Sequence, residues 1–121
     1  MIRNLAFALA ATVALSAAAY AQTAKTISVT IKNTDNGNVL LKVTDANQGG
    51  KMVFGPGALK QGASTTVKVN ADAAGKGHIA WAAMSAPENN EHPLKCGKAD
   101  RANLADGATV AINRGDYPSS C

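Results

Sequence analysis

The chain has 121 residues, of which 46% are hydrophobic, 4% aromatic and 17% charged, with a formal net charge of +4. A chain of this length reads as one domain. So small a positive balance gives no argument for nucleic acid, which calls for a clustered basic face.

Residues 1–21 read as a secretory leader. Met1 to Asn4 carries one positive charge at Arg3, Leu5 to Ala19 is an uncharged Ala- and Leu-rich run, and Ala19-Tyr20-Ala21 offers small residues where a signal peptidase cuts. The run is shorter and less apolar than the ~20 residues a spanning helix requires. Cleavage before Gln22 is therefore expected, with cuts after Ala17 or Ala19 as alternatives. It would leave residues 22–121, a single domain of 100 residues and net charge +3, exported to the periplasm or the medium and not inserted in a membrane.

From Thr26 to Lys32 the sequence alternates, with Ile27, Val29 and Ile31 on one side and Ser28, Thr30 and Lys32 on the other. Period-two alternation of β-branched residues marks a half-buried strand. Asn33 to Asn38 forms a turn, and Asn38 to Asp45 alternates again through Val39, Leu41 and Val43, with Leu40, Lys42 and Thr44 opposite. Two such runs joined by Asp-Asn-Gly-Asn predict a β-hairpin. Lys51 to Phe54 reads as a short strand ended by Gly55-Pro56-Gly57, because proline lacks the N–H of the ladder.

Ala58 to Ala63 reads as a connector between sheets anchored by Leu59, followed by a strand from Ser64 to Asn70 with Thr65, Val67 and Val69 inward. Asp72 to Gly77 is a turn, and His78 to Met84 a strand with Ile79, Trp81 and Ala83 on its inner side. Ala80 and Ala82, on its other side, are small enough for something to pack closely there. Ser85 to Leu94 is a polar, proline-bearing loop; Lys95 to Lys98 carries Cys96; Asp106-Gly107 is a turn; Ala108 to Arg114 is the last strand; Gly115 to Cys121 is tail. No apolar face of helical period is sustained. The sequence predicts an all-β, antiparallel two-sheet sandwich of immunoglobulin-like architecture with six to seven strands, a small closed barrel being the alternative.

Cys96 and Cys121 are the only cysteines. In an oxidising compartment they predict one intramolecular disulfide, which would stabilise the fold by ~3 kcal/mol in the chain-entropy model. A metal-ligand pair or an intermolecular bridge would be the other uses.

Motifs for chemistry are weak. His78 and His92, with Met84 and the cysteines, supply copper- or zinc-type ligands without ligand spacing. Ser64, Asp72 and His78 could be nominated as a triad, but no Gly-x-Ser-x-Gly elbow is present. Glu88 and Glu91 fall in a loop, away from any cleft a glycosidase would need. The glycine-rich stretches match neither a phosphate loop nor a calcium loop. No catalytic, metal or cofactor residues are therefore assigned.

Outward lysines recur, with Lys32, Lys42 and Lys68 in the strands. They discourage edge pairing, or they form a basic face for an anionic polymer such as lipopolysaccharide or an acidic glycan. Exposed aromatics for base stacking are missing. Trp81 is expected in the core, with stacking on a sugar as its alternative use. The sequence thus predicts an exported, monomeric, non-enzymatic binding module with a protein or anionic glycan as partner. Its contacts are expected from Glu88, Asn89, Asn90, Glu91 and His92 in the loop and from Lys32, Lys42 and Lys68. The alternatives are a secreted inhibitor or toxin-like effector using the same loop, and then a metal-binding protein or small hydrolase.

Overall fold

The computed structural model describes residues 25–90 and 94–113. The described residues run through seven strands: β1 (Thr26–Asn33), β2 (Val39–Asp45), β3 (Lys51–Leu59), β4 (Ser64–Asn70), β5 (Gly77–Ser85), β6 (Cys96–Leu104) and β7 (Ala108–Ile112). Short 3-10 turns occupy Ala46–Gln48 and Pro87–Asn89. The leader with its cleavage site, and the residues Glu91, His92 and Cys121, lie outside the described residues.

Two sheets form, one of three strands in the order β4-β1-β7 and one of four in the order β3-β2-β5-β6. All pairs are antiparallel except β1 with β7, which run parallel from Val29↔Ala108 to Asn33↔Ile112. The wholly antiparallel arrangement expected from sequence is corrected there. β7 comes from the other end of the chain and joins the free edge of β1 in the same direction. The sheets stay separate and share no strand, so the closed barrel is set aside.

The core is what the alternation specifies. Ile27, Val29 and Ile31 of β1, Val67 and Val69 of β4, and Val110 and Ile112 of β7 meet Val39, Leu41 and Val43 of β2 and Ile79, Trp81 and Ala83 of β5. Burying each large aliphatic side chain stabilises the fold by ~1.5–3 kcal/mol relative to exposure. Trp81 is only 3% exposed, so its ring belongs to this core and is not presented for stacking on a sugar.

The predicted β1–β2 hairpin does not form. β1 pairs with β4 and β7, whereas β2 pairs with β3 and β5, so the two runs face each other from opposite sheets. The turn between them is an arch over the end of the core, and Asn33 holds it. Asn33 is fully buried; its Nδ2 donates to the carbonyls of Gly37 and Leu59, both at 2.9 Å, and its Oδ1 accepts the Asp35 N–H at 2.9 Å. Turn-forming residues serve an arch as readily as a hairpin, and a buried amide that must satisfy three groups decides between them.

Two strand limits also differ from the reading. β3 continues past Phe54 through the cis Gly55–Pro56 bond to Leu59. It can do so because β3 is an edge strand, where the missing proline N–H leaves no ladder partner unmet. A bulge lets Gly55 and Pro56 together oppose Lys42, between the pairs Leu41↔Gly57 and Val43↔Phe54. Gly55 has φ +80°, and a Cβ there would lie 2.2 Å from the Leu41 carbonyl oxygen, so only glycine fits. β6, for its part, runs on to Leu104 although Ala99 to Asn103 has no clean alternation.

A buried carboxylate ties the sheets together at the opposite end. Asp45, fully buried, accepts from the Asn47 N–H at 2.9 Å, from Gln48 Nε2 at 2.6 Å and from the Asn70 N–H at the end of β4 at 2.7 Å.

Candidate functional site

The sequence-predicted contact residues do not form one surface. Lys32 and Lys68 lie on the outer side of the three-stranded sheet, opposite Ser64 and Ser28 respectively. Lys68 Nζ donates to Ser28 Oγ at 2.6 Å. Lys42 lies on the outer side of the four-stranded sheet, across the sandwich from both. The lysines therefore do not make a single basic face.

In the loop, Glu88 and Asn89 are engaged with the fold. Asn89 Nδ2 donates to the Asn38 carbonyl at 2.7 Å while its Oδ1 accepts the Asn38 N–H at 3.2 Å, and Asn38 Nδ2 donates to Glu88 Oε1 at 3.2 Å. Asn90 closes the short turn in a left-handed conformation with φ 57°. These contacts bind the β5–β6 connection to the start of β2. Gly37 is small for the same reason, since a Cβ there would meet the Asn89 side chain at 2.7 Å.

The nominated triad is not assembled. Ser64 opens β4, whereas Asp72 follows its end. Seven residues of strand hold them ~20 Å or more apart. Asp72 Oδ1 instead accepts the N–H groups of Ala74 and Lys76 in the β4–β5 turn. His78 Nε2 lies 2.8 Å from Asp100 Oδ2 on the neighbouring strand. Among the described residues no group of three or more His, Cys, Asp or Glu side chains is placed to hold a metal ion.

What the structure does assemble is a trough on the outer side of the four-stranded sheet. The register builds it row by row. Ala58, Leu40, Met84 and Cys96 are successive partners across β3, β2, β5 and β6; Lys42, Ala82 and Lys98 form the next row; Thr44, Ala80 and Asp100 the third. Partnered residues share a face, so the first row is apolar, and the second sets a short side chain between two long cations. Leu40, Ala82 and Met84 are half-buried, while Lys42 and Lys98 are exposed.

A cavity of about 510 Å³ follows the first two rows, floored by Leu40, Ala82 and Met84 and walled by Pro56 of the bulge with Gly57 beside it and by Cys96 and Gly97. A smaller cavity of about 210 Å³ continues over Thr44, Ala80 and Ala99. Lys42, Ala82 and Lys98 line both cavities, so the lysines stand at the waist of one trough. Among the described residues no acid lies within ion-pair distance of either lysine.

Sequence reasoning marked Ala80 and Ala82 as a place for close packing but did not find the trough, although the signal was present. Leu40, Ala80, Ala82 and Met84 are apolar at outward parity in strands whose inner side is already apolar. Only the pairing of β2 with β5 brings them together.

No protein-family model matches the chain, and no curated protein or solved structure matches it either.

Proposed function

We propose that this protein is an exported, non-enzymatic binding module that holds its partner in the trough on the outer side of the four-stranded sheet. The observation that carries the reading is the apolar floor of Leu40, Ala82 and Met84 left open to solvent between Lys42 and Lys98. An apolar concavity with a few convergent polar groups is the usual form of a binding site. Export rests on the leader composition of residues 1–21. Among the described residues no helix is long and apolar enough to cross a membrane.

We read the architecture as an immunoglobulin-like sandwich stapled by Cys96–Cys121. Three pairs support the staple: Ile112 at the end of β7 partners Asn33, Asn33 holds the Leu59 carbonyl, and Leu59 partners Val39 at the start of β2. Cys96 partners Met84 at that same end, so the chain leaves β7 where Cys96 stands. Cys96 also lines the trough, so the disulfide would fix its rim.

Binding of the uncharged dye Nile red tests the trough. The wild-type protein should enhance its emission, and Leu40→Ser combined with Met84→Ser should remove most of the enhancement without loss of the folded circular-dichroism signal. Undiminished emission from the folded double variant would refute the reading. Mass analysis of exported protein should give a chain starting at Gln22 with no alkylatable thiol.

A further inference from the structure

We propose that the occupant of the trough is a single-chain anionic amphiphile, with its alkyl chain on Leu40, Pro56, Ala82 and Met84 and its anionic head between Lys42 and Lys98. This rests on the binding-module reading and names the chemistry of its ligand.

The trough has two unlike parts joined at the lysines. On one side lies the apolar cavity bounded by Pro56 of β3 and Cys96 of β6, thus crossing all four strands. Three inter-strand spacings give it a length of roughly 14 Å. That suits a short alkyl chain. On the other side lies the smaller cavity over Thr44 and Ala80, where the Thr44 hydroxyl sets a polar group beside the head.

Lys42 and Lys98 both partner Ala82, from opposite sides. Their Cα atoms are thus about two strand spacings, or ~10 Å, apart. Their flexible stems are long enough to span that distance along the apolar floor and bring both ammonium groups to an anion above Ala82. Two cations over one alanine fit one carboxylate or phosphate. The nearby Asp100 carboxylate, which would repel an anion, is turned to His78 at 2.8 Å.

Other occupants fit less well. A second copy related by two-fold symmetry would bring its own Lys42 and Lys98 against the first pair, and like charges facing each other oppose association. A folded protein partner buries about 20–30 residues a side in a standard interface, far more than the few apolar side chains open here. A cationic or neutral amphiphile leaves the lysines without a partner.

The test is a titration of the exported, oxidised protein with decanoate, decanol and decyltrimethylammonium, followed by amide NMR. Decanoate should shift Leu40, Lys42, Ala82, Met84 and Lys98 and bind at least about tenfold more tightly than decanol, as two charge-assisted contacts allow. Decyltrimethylammonium should bind most weakly. Lys42→Gln with Lys98→Gln should bring decanoate down to the level at which the same variant binds decanol. Raising the salt should weaken decanoate alone. Equal binding of decanoate and decanol in the trough would overturn the anionic assignment and leave the trough as an apolar site. No shift with any probe, in a protein that also fails to bind Nile red, would overturn both readings. Shifts confined to the three-stranded sheet would overturn this proposal as well.

Discussion

The two sheets share one core and differ on their outer faces. On the three-stranded sheet, Ser28, Thr30, Lys32, Thr66, Lys68 and Thr109 point outward. Their polar groups meet each other, with Thr30 Oγ1 and Thr66 Oγ1 at 3.0 Å and Lys68 on Ser28 at 2.6 Å. On the four-stranded sheet Leu40, Ala80, Ala82 and Met84 occupy the equivalent outward positions, and its lysines find no described acid. A sheet with one polar face needs nothing beyond its core. A sheet with an apolar row on its outer face as well as an apolar inner face keeps surface that water covers at a cost, and that cost is recovered when something binds.

Variants can erase or sharpen this contrast. The largest effect is expected where the sheets are joined. Asp45→Ala removes a buried acceptor shared by β2 and β4 and should destabilise the fold by about 3 kcal/mol, so both faces fail together. Urea denaturation measures it, and a loss below ~1 kcal/mol would show that Asp45 is not the tie.

Asn89→Ala comes next, at about 1–2 kcal/mol by the same measurement. It frees the β5–β6 connection from Asn38, at the end of the trough where Leu40 and Met84 stand, and should weaken Nile red and decanoate binding as well. Thr30→Leu with Thr66→Leu should change stability by less than ~1 kcal/mol. It would give the three-stranded sheet an apolar row and new Nile red binding, without the preference for decanoate over decanol. The smallest effect is expected from Lys68→Ala, within ~0.5 kcal/mol in stability. Decanoate affinity should not move, because Lys68 faces away from the trough. A loss matching that of a Lys42 variant would mean the anion is held by overall charge and not by the Lys42–Lys98 pair.

The core was legible in the sequence because it depends on parity alone. Val29, Val43, Val69, Ile79 and Val110 each sit where alternation puts them. Strand partnership was not legible, because β1 and β2 carry the same pattern and the turn between them suits either outcome. The arch is settled by Asn33 reaching Leu59, a contact 26 residues away in the chain. β6 was mostly invisible because an edge strand buried on little of its length needs no alternation. The trough inherits both difficulties. Its side chains lie on β2, β3, β5 and β6, and outward Leu40 and Met84 gain meaning only once Leu40↔Met84 is known.

In chain order the strands fall to the three-, four-, four-, three-, four-, four- and three-stranded sheet. No two consecutive strands meet in the smaller sheet, so none of its pairings is local. β1 must wait for β4 and then for β7, whose Ile112 carbonyl meets Thr34 Oγ1 across 78 residues of chain. Such closure is slow compared with the local β2–β3 and β5–β6 pairings. The two local pairs of the trough-bearing sheet can therefore form first, while β1, the earliest strand to be made, waits for β4 and is completed only by β7, the last.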